Sequence, residues 1–230
     1  MDMQENTRLA LLRDVPQDSL MIHEIYASIQ GESSHAGLPC TFVRTSACHL
    51  RCRYCDTPHA FHAGQSMTLE AIEKAVEALG HPLVEITGGE PLLQENIHRL
   101  MTRLCDRGHQ VLLETSGSLD ISAVDPRVMR IVDMKTPFSG EEGANLYENL
   151  QVLRADDELK FVIADRQDYE WARALLQRHR LSASAKVLMG TVHGAMPDAD
   201  LVQWILEDGL DVRFQLQVHK IIWDPKRRGV

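Results

Sequence analysis

Cys48-His49-Leu50-Arg51-Cys52-Arg53-Tyr54-Cys55 sets three thiols at C-x3-C-x2-C spacing in one short loop. A four-iron cluster has four corners and is ordinarily held by four thiolates. Three ligands from one loop leave one iron open to a small molecule, which makes the cluster a reagent instead of an electron carrier. Zinc is the rival, since it accepts three thiolates and an imidazole, and His49 or His59 stands near enough in sequence to complete such a set. Zinc loops often come as paired C-x2-C knuckles, however, and the chain has no second knuckle. Of the five cysteines, Cys40 and Cys105 lie apart in apolar or helix-like stretches and read as small buried hydrophobes.

Outward from this loop the chain alternates strand and helix patterns. Residues 22–27 and 41–44 read as strands on either side of a loop containing Gly31 and Gly37. Thr68 stands at the N-cap position of a helix, followed by strand 83–87, helix 97–104, strand 110–114 and strand 130–133. Strand 159–163, helix 169–178, strand 186–189, helix 199–208 and strand 212–216 complete the set. Such alternation implies a parallel sheet with crossover connections, whose ligands sit at the carboxyl ends of the strands. The polar and glycine-bearing motifs fall just after strands, as that rule expects. The reading is α/β, a partial (open) β/α barrel. Residues 1–20 form a loosely tied N-terminal extension and residues 21–230 a single domain. Ser139-Gly140-Glu141-Glu142-Gly143 reads as a loop with freedom to move.

The 230 residues suffice for one well-buried core. A net charge of −9 argues against broad nucleic-acid binding, which rests on neutralised phosphates. Lys226-Arg227-Arg228 then reads as a solvated tail. No apolar run approaches the ~20 residues of a membrane helix, and the polar, acidic N-terminus is unlike a secretory signal. A cytoplasmic protein is expected, and the clustered thiols are not a disulfide scaffold.

Thr87-Gly88-Gly89-Glu90-Pro91 follows directly on an apolar strand. Its glycines allow close backbone approach to a ligand. Together with the cysteine loop it resembles the motif pair of the radical S-adenosylmethionine (SAM) enzymes, in which the glycine turn binds the SAM amino group. Cys55-Asp56-Thr57, Ser28-Ile29-Gln30-Gly31-Glu32, Arg44 and Gln217-Val218-His219-Lys220 narrow the resemblance. Over residues 21 to 224 the chain resembles the 7-carboxy-7-deazaguanine synthases, a lyase family of queuosine and deazapurine biosynthesis that serves tRNA modification.

The resemblance implies Cys48, Cys52 and Cys55 as ligands of a [4Fe-4S] cluster, with Thr57 helping to hold Mg2+. On the SAM side it implies Tyr54, Cys55, Asp56, Gly89, Glu90, Ser116, Asp133, Met134 and Lys135. On the substrate side it implies Ile29, Gln30, Gly31, Glu32, Arg44, Thr87, His219 and Pro225. The substrate would be 6-carboxy-5,6,7,8-tetrahydropterin, with Arg44 as a bidentate fork for its carboxylate. Hydrogen abstraction at C6, ring contraction and loss of ammonia would follow, with no conventional acid–base pair. A homodimer, a flavodoxin-type electron donor and a C-terminal segment that closes over substrate are also implied, without direct nucleic-acid or membrane contact. Leu188-Met189-Gly190-Thr191-Val192 departs from the more polar SAM-contacting stretch of relatives. Rival readings are a glycyl-radical-type activating enzyme, against which Gln30-Gly31-Glu32 with Arg44 and Thr57 and the lack of a second cluster's cysteines speak, and a zinc-stabilised binding module.

Overall fold

Helices follow the strands at residues 65–68, 83–88, 158–163, 186–191 and 213–214 in the computed structural model, which describes residues 7–225 and 227–230. Residues 116–128 join two strands without a helix, and 135–157 do so with 3-10 turns alone. The strands are β1 (Ser19–Ile29), β2 (Pro39–Thr45), β3 (Gln65–Thr68), β4 (Leu83–Gly88), β5 (Gln110–Thr115), β6 (Met129–Met134), β7 (Glu158–Ile163), β8 (Lys186–Thr191) and β9 (Arg213–Phe214). They form one sheet in the order β3-β1-β2-β4-β5-β6-β7-β8-β9. From β2 to β9 every neighbouring pair is parallel. The edges, β3 and β9, do not meet, so the sheet is an open β/α barrel.

The helices are α1 (Leu69–Leu79), α2 (Asn96–Asp106), α3 (Arg166–His179), α4 (Asp198–Glu207) and α5 (Val218–Ile222). Thr68 caps α1 as its position suggests, its hydroxyl accepting from the Ala71 amide at 3.2 Å. Ile97, Leu100, Met101 and Leu104 recur along one side of α2 and are fully buried. Asp165 caps α3 through the Asp168 amide at 2.9 Å. Among the described residues no helix is long and apolar enough to cross a membrane.

Four local expectations needed correction. β1 runs antiparallel to both neighbours, because a short loop permits a hairpin where a parallel crossover needs a dozen residues or more. β3 was not foreseen, since Gln-Ser-Met-Thr carries no alternation; β1 recruits it through Ser19 to Ile22. The strand expected over 212–216 shrinks to Arg213–Phe214, and the Gln215 side chain turns to accept from the Ser33 amide at 3.0 Å. The loop at 139–143 is wound into 3-10 turns, Pro137–Ser139 and Glu142–Ala144, and bonded to the cysteine loop. Arg53 N donates to Ser139 O at 3.0 Å, and Arg51 N donates to the Glu141 carboxylate at 2.6 Å.

Part of the N-terminal extension lies outside the described residues. From Thr7 onward it runs across the barrel: Arg8 donates to His49 O at 2.6 Å, and Asp18 pairs with Arg99 at 2.6 Å. The main core lies between the outer face of the sheet and the helices, with Val84, Ile86, Val111, Leu113, Val132 and Phe161 among its members. On the inner face Cys40, Phe42, Leu83, Leu112 and Ile131 close the barrel's floor.

Candidate active site

Strand alternation puts every second residue of β4 to β7 on the inner face. Above the apolar floor this places Glu85, Glu114, Asp133 and Lys160 around a cavity of about 770 Å3. Lys160 lies at the centre, its ammonium 3.0 Å from Glu32 and 3.5 Å from Asp133, and in contact with Glu114. Burial opposes its charge, but Glu114, Glu32 and Asp133 outweigh that and raise its pKa well above the ordinary lysine value. Burial likewise opposes the Glu32 carboxylate, yet Lys160 and Gln217 hold its pKa below the usual value. Glu85 goes the other way. Burial first, then Glu114 and Glu32, push its carboxyl well up, and Gln30 donates to it. The wall thus holds an ammonium, three carboxylates paired with it, and a carboxyl inclined to keep its proton.

The cysteine loop forms the opposite wall, and Cys48, Cys52 and Cys55 all line the cavity. Arg51 folds the loop on itself, donating to the carbonyls of Cys48 and Leu50, each at 2.7 Å. Its guanidinium lies 4.1 Å from the Phe61 ring centroid. Gly89 meets this loop so closely that a Cβ there would lie 1.9 Å from Ala47 O, which excludes any larger residue. Burial pushes the Cys48 thiol up to about 12 and Cys52 to about 11, so each stays protonated until a metal takes the proton's place.

The zinc reading does not assemble. His49 Nε2 is hydrogen-bonded to Ser118 Oγ at 2.8 Å, and His59 stands against His23. Among the described residues the one set of three ligating atoms within 4.8 Å of one another contains no thiol, so the three thiols are not gathered with a histidine around a single point.

The cavity also gathers Ile29, Gln30, Gly31, Glu32, Arg44, Tyr54, Asp56, Thr57, Thr87, Ser116, Asp133, Lys135, His219 and Pro225. Arg44 gives Nε to Glu24 at 2.8 Å and Nη2 to Tyr26 Oη at 2.7 Å; its Nη1 has no hydrogen bond among the described residues. Gly31 packs on His219, where a Cβ would lie 2.0 Å from Nδ1, so the loop after β1 and helix α5 fit only with glycine. Thr57 Oγ1 lies 3.8 Å from Cys55 Sγ.

Two expected side chains are elsewhere. Met134 is fully buried in the outer core, since Asp133 and Lys135 on either side take the inner face. The Glu90 carboxylate is consumed internally, accepting from Thr115 Oγ1 at 2.8 Å, Ser116 N at 2.7 Å and Leu92 N at 3.1 Å. Arg227 and Arg228 are exposed but sit at the cavity mouth, which corrects the reading of a tail directed wholly to solvent; Lys226 lies outside the described residues. Glu85, Glu114 and Lys160 were not singled out from sequence, because each follows directly on apolar strand residues and belongs to no local motif.

An open β/α barrel that brings a three-cysteine loop, a glycine turn and a charged inner wall into one cavity defines the radical SAM class, and residues 42–135 match the Radical SAM superfamily. The chain belongs to the family of 7-carboxy-7-deazaguanine synthases. It is 47% identical to the protein of that name from Koribacter versatilis, over 92% of this chain and 100% of that one, and 46% identical to the one from Chlorobaculum tepidum, over 92% and 97%. The crystal structure of QueE from Escherichia coli shares the fold, with a TM-score of 0.71 over 86% of this chain and 94% of that one at 21% identity.

The chain is therefore a radical SAM enzyme, whose class brings a four-iron cluster and SAM. Its residues fit both groups. Three thiols face the cavity beside the glycine turn, and Tyr54 Oη and Asp133 Oδ1 are buried without a hydrogen-bond partner among the described residues.

Proposed function

We propose that this chain converts 6-carboxy-5,6,7,8-tetrahydropterin to 7-carboxy-7-deazaguanine with loss of ammonia, in queuosine or deazapurine biosynthesis. The observation that carries the reading is the meeting of the cysteine loop and a guanidinium–amide–carboxyl wall in one cavity. Cys48, Cys52 and Cys55 would hold the cluster. Tyr54, Asp56, Gly89, Ser116, Asp133 and Lys135 would line the SAM side, together with the backbone around Glu90 and Met134. Bound cluster and SAM supply hydrogen-atom abstraction at C6 of the pterin.

The chain's own residues bind, orient and exclude water. Arg44 offers Nη1 to the substrate carboxylate while Glu24 and Tyr26 fix the guanidinium plane. Gln30, Glu32 and Thr87, with the backbone of Ile29 and Gly31, suit the guanine-like edge, and a protonated Glu85 can donate to it. Lys160 keeps the carboxylates of this wall apart by pairing with each. Thr57 would contribute one oxygen to Mg2+, with substrate and water supplying the rest, since Mg2+ prefers shared oxygen ligands. His219 and Pro225 would close the chain's end over the substrate. A single domain over residues 21–230, a homodimer, a flavodoxin-type donor and a cytoplasmic setting complete the proposal on family grounds.

Anaerobic incubation with SAM, a reductant, Mg2+ and the carboxytetrahydropterin tests it. Formation of 7-carboxy-7-deazaguanine is expected. Cleavage of SAM without conversion of the pterin would reject the substrate.

A further inference from the structure

One cluster of ligating side chains touches the chemistry above only through the Glu24–Arg44 pair. His23, Glu24 and His59 each offer one ligand atom, and the three lie within 4.8 Å of one another. A regular strand could not achieve this, because consecutive side chains such as His23 and Glu24 point to opposite faces. β1 is irregular here. Ile22 pairs with Thr45 and Glu24 with Arg44, so an extra residue on β1 opposes a single step on β2. Ile22 accordingly lies in the outer core while Glu24, two positions on, lines the cavity. His23 is the bulged residue, and bulges re-aim side chains in this way beside sites.

The orientation of His23 is fixed as well. Its Nδ1 lies 2.9 Å from the carbonyl oxygen of Ala63. A carbonyl can only accept, so Nδ1 carries the proton and the neutral ring keeps its lone pair on Nε2. Metal-bound histidines are held by a hydrogen bond of this kind from the second ring nitrogen. The His59 ring stands 4.9 Å from that of His23, and Glu24 engages Arg44 through Oε1, leaving Oε2.

We propose that His23, Glu24 and His59 bind one divalent transition-metal ion of the zinc class, with a further position open to water or an anion. Two imidazoles and a carboxylate suit zinc and its neighbours, whereas Mg2+ takes oxygen ligands. Zinc bonds of about 2.0–2.2 Å set ligand atoms about 3.4 Å apart. Closing from 4.8 Å takes side-chain rotation at three partly exposed residues. The ion would tie β1 to the Pro58–Phe61 turn that follows the cysteine loop. It would also share Glu24 with Arg44.

The test is Zn2+ added to anaerobic, cluster-loaded protein in excess Mg2+, with bound metal read by equilibrium dialysis and elemental analysis, and Tm followed alongside. One zinc per chain beyond the cluster iron, and a raised Tm, are expected. His23→Gln and His59→Gln should each weaken zinc binding at least about tenfold and cancel the rise in Tm, while keeping the brown cluster absorbance. His62→Gln, at an exposed histidine outside the group, should bind as the parent does. Absence of zinc binding to the cluster-loaded protein, or equal binding by the double variant His23→Gln/His59→Gln, would overturn the proposal.

Discussion

The inner and outer faces of β4 to β7 come from alternate residues of the same strands, yet they follow different rules. Outward, Ile86, Leu113, Val132 and Phe161 pack hydrocarbon against the helices. Inward, at neighbouring positions, stand Glu85, Glu114, Asp133 and Lys160. Burying a charge is costly unless it is paired, and hydrocarbon of equal volume is often as stable or more so. The floor of the barrel shows that this fold can fill its inner face with Leu83, Leu112 and Ile131. The charged layer above that floor is thus not accounted for by packing, as the outer face is.

The largest break in this comparison is at the loop facing the charged wall. Cys52→Ala should abolish the cluster and all turnover, read as loss of the brown absorbance and of about four irons per chain. Next is the ammonium that holds the wall together. Lys160→Met leaves Glu32 and Glu114 without their cation, while Asp133 keeps Lys135 at 3.0 Å, and should cost about 3–5 kcal/mol in denaturant unfolding. A smaller effect is expected at the rim. Arg44→Ala should raise KM for the pterin about tenfold, the scale of one charge-assisted hydrogen bond, with SAM affinity kept; equal loss of both would remove Arg44 from the carboxylate.

The smallest is a pH effect at Glu85. Its carboxyl is raised by burial, then by Glu114 and Glu32. A carboxyl with a folded pKa above its unfolded one contributes stability that is full below the unfolded value. That stability is lost as pH rises through the folded value. Glu85→Gln cannot ionise, so its Tm should hold up better than the parent's above the usual carboxylate range. Parallel Tm profiles for the two proteins would mean that Glu85 titrates normally.

Much of this was legible in the sequence because the signals are local. The helices carry amphipathic repeats, as at Ile97, Leu100, Met101 and Leu104, and the cysteine loop and glycine turn are contiguous. The wall was not legible, because Glu85 and Lys160 each interrupt an apolar strand once. Only the folded sheet shows that such interruptions share the inner face and meet around Lys160. β3 was missed because pairing with β1, and not its own residues, makes it a strand. His23 was missed because a bulge is a property of two strands together. Glu90 shows the converse: a motif glutamate whose position was foreseen, but whose carboxylate is spent on Thr115 and Ser116.

The division of the two faces is tested most directly on adjacent residues of β5. Leu113→Ala and Glu114→Gln should be compared for unfolding free energy and for pterin affinity in the cluster-loaded enzyme. Leu113→Ala should lose about 2–5 kcal/mol of stability and leave affinity unchanged. Glu114→Gln should weaken affinity about tenfold by loosening the Lys160 ammonium that orders the wall, at a smaller cost in stability. Weakened affinity in Leu113→Ala with none in Glu114→Gln would contradict the account.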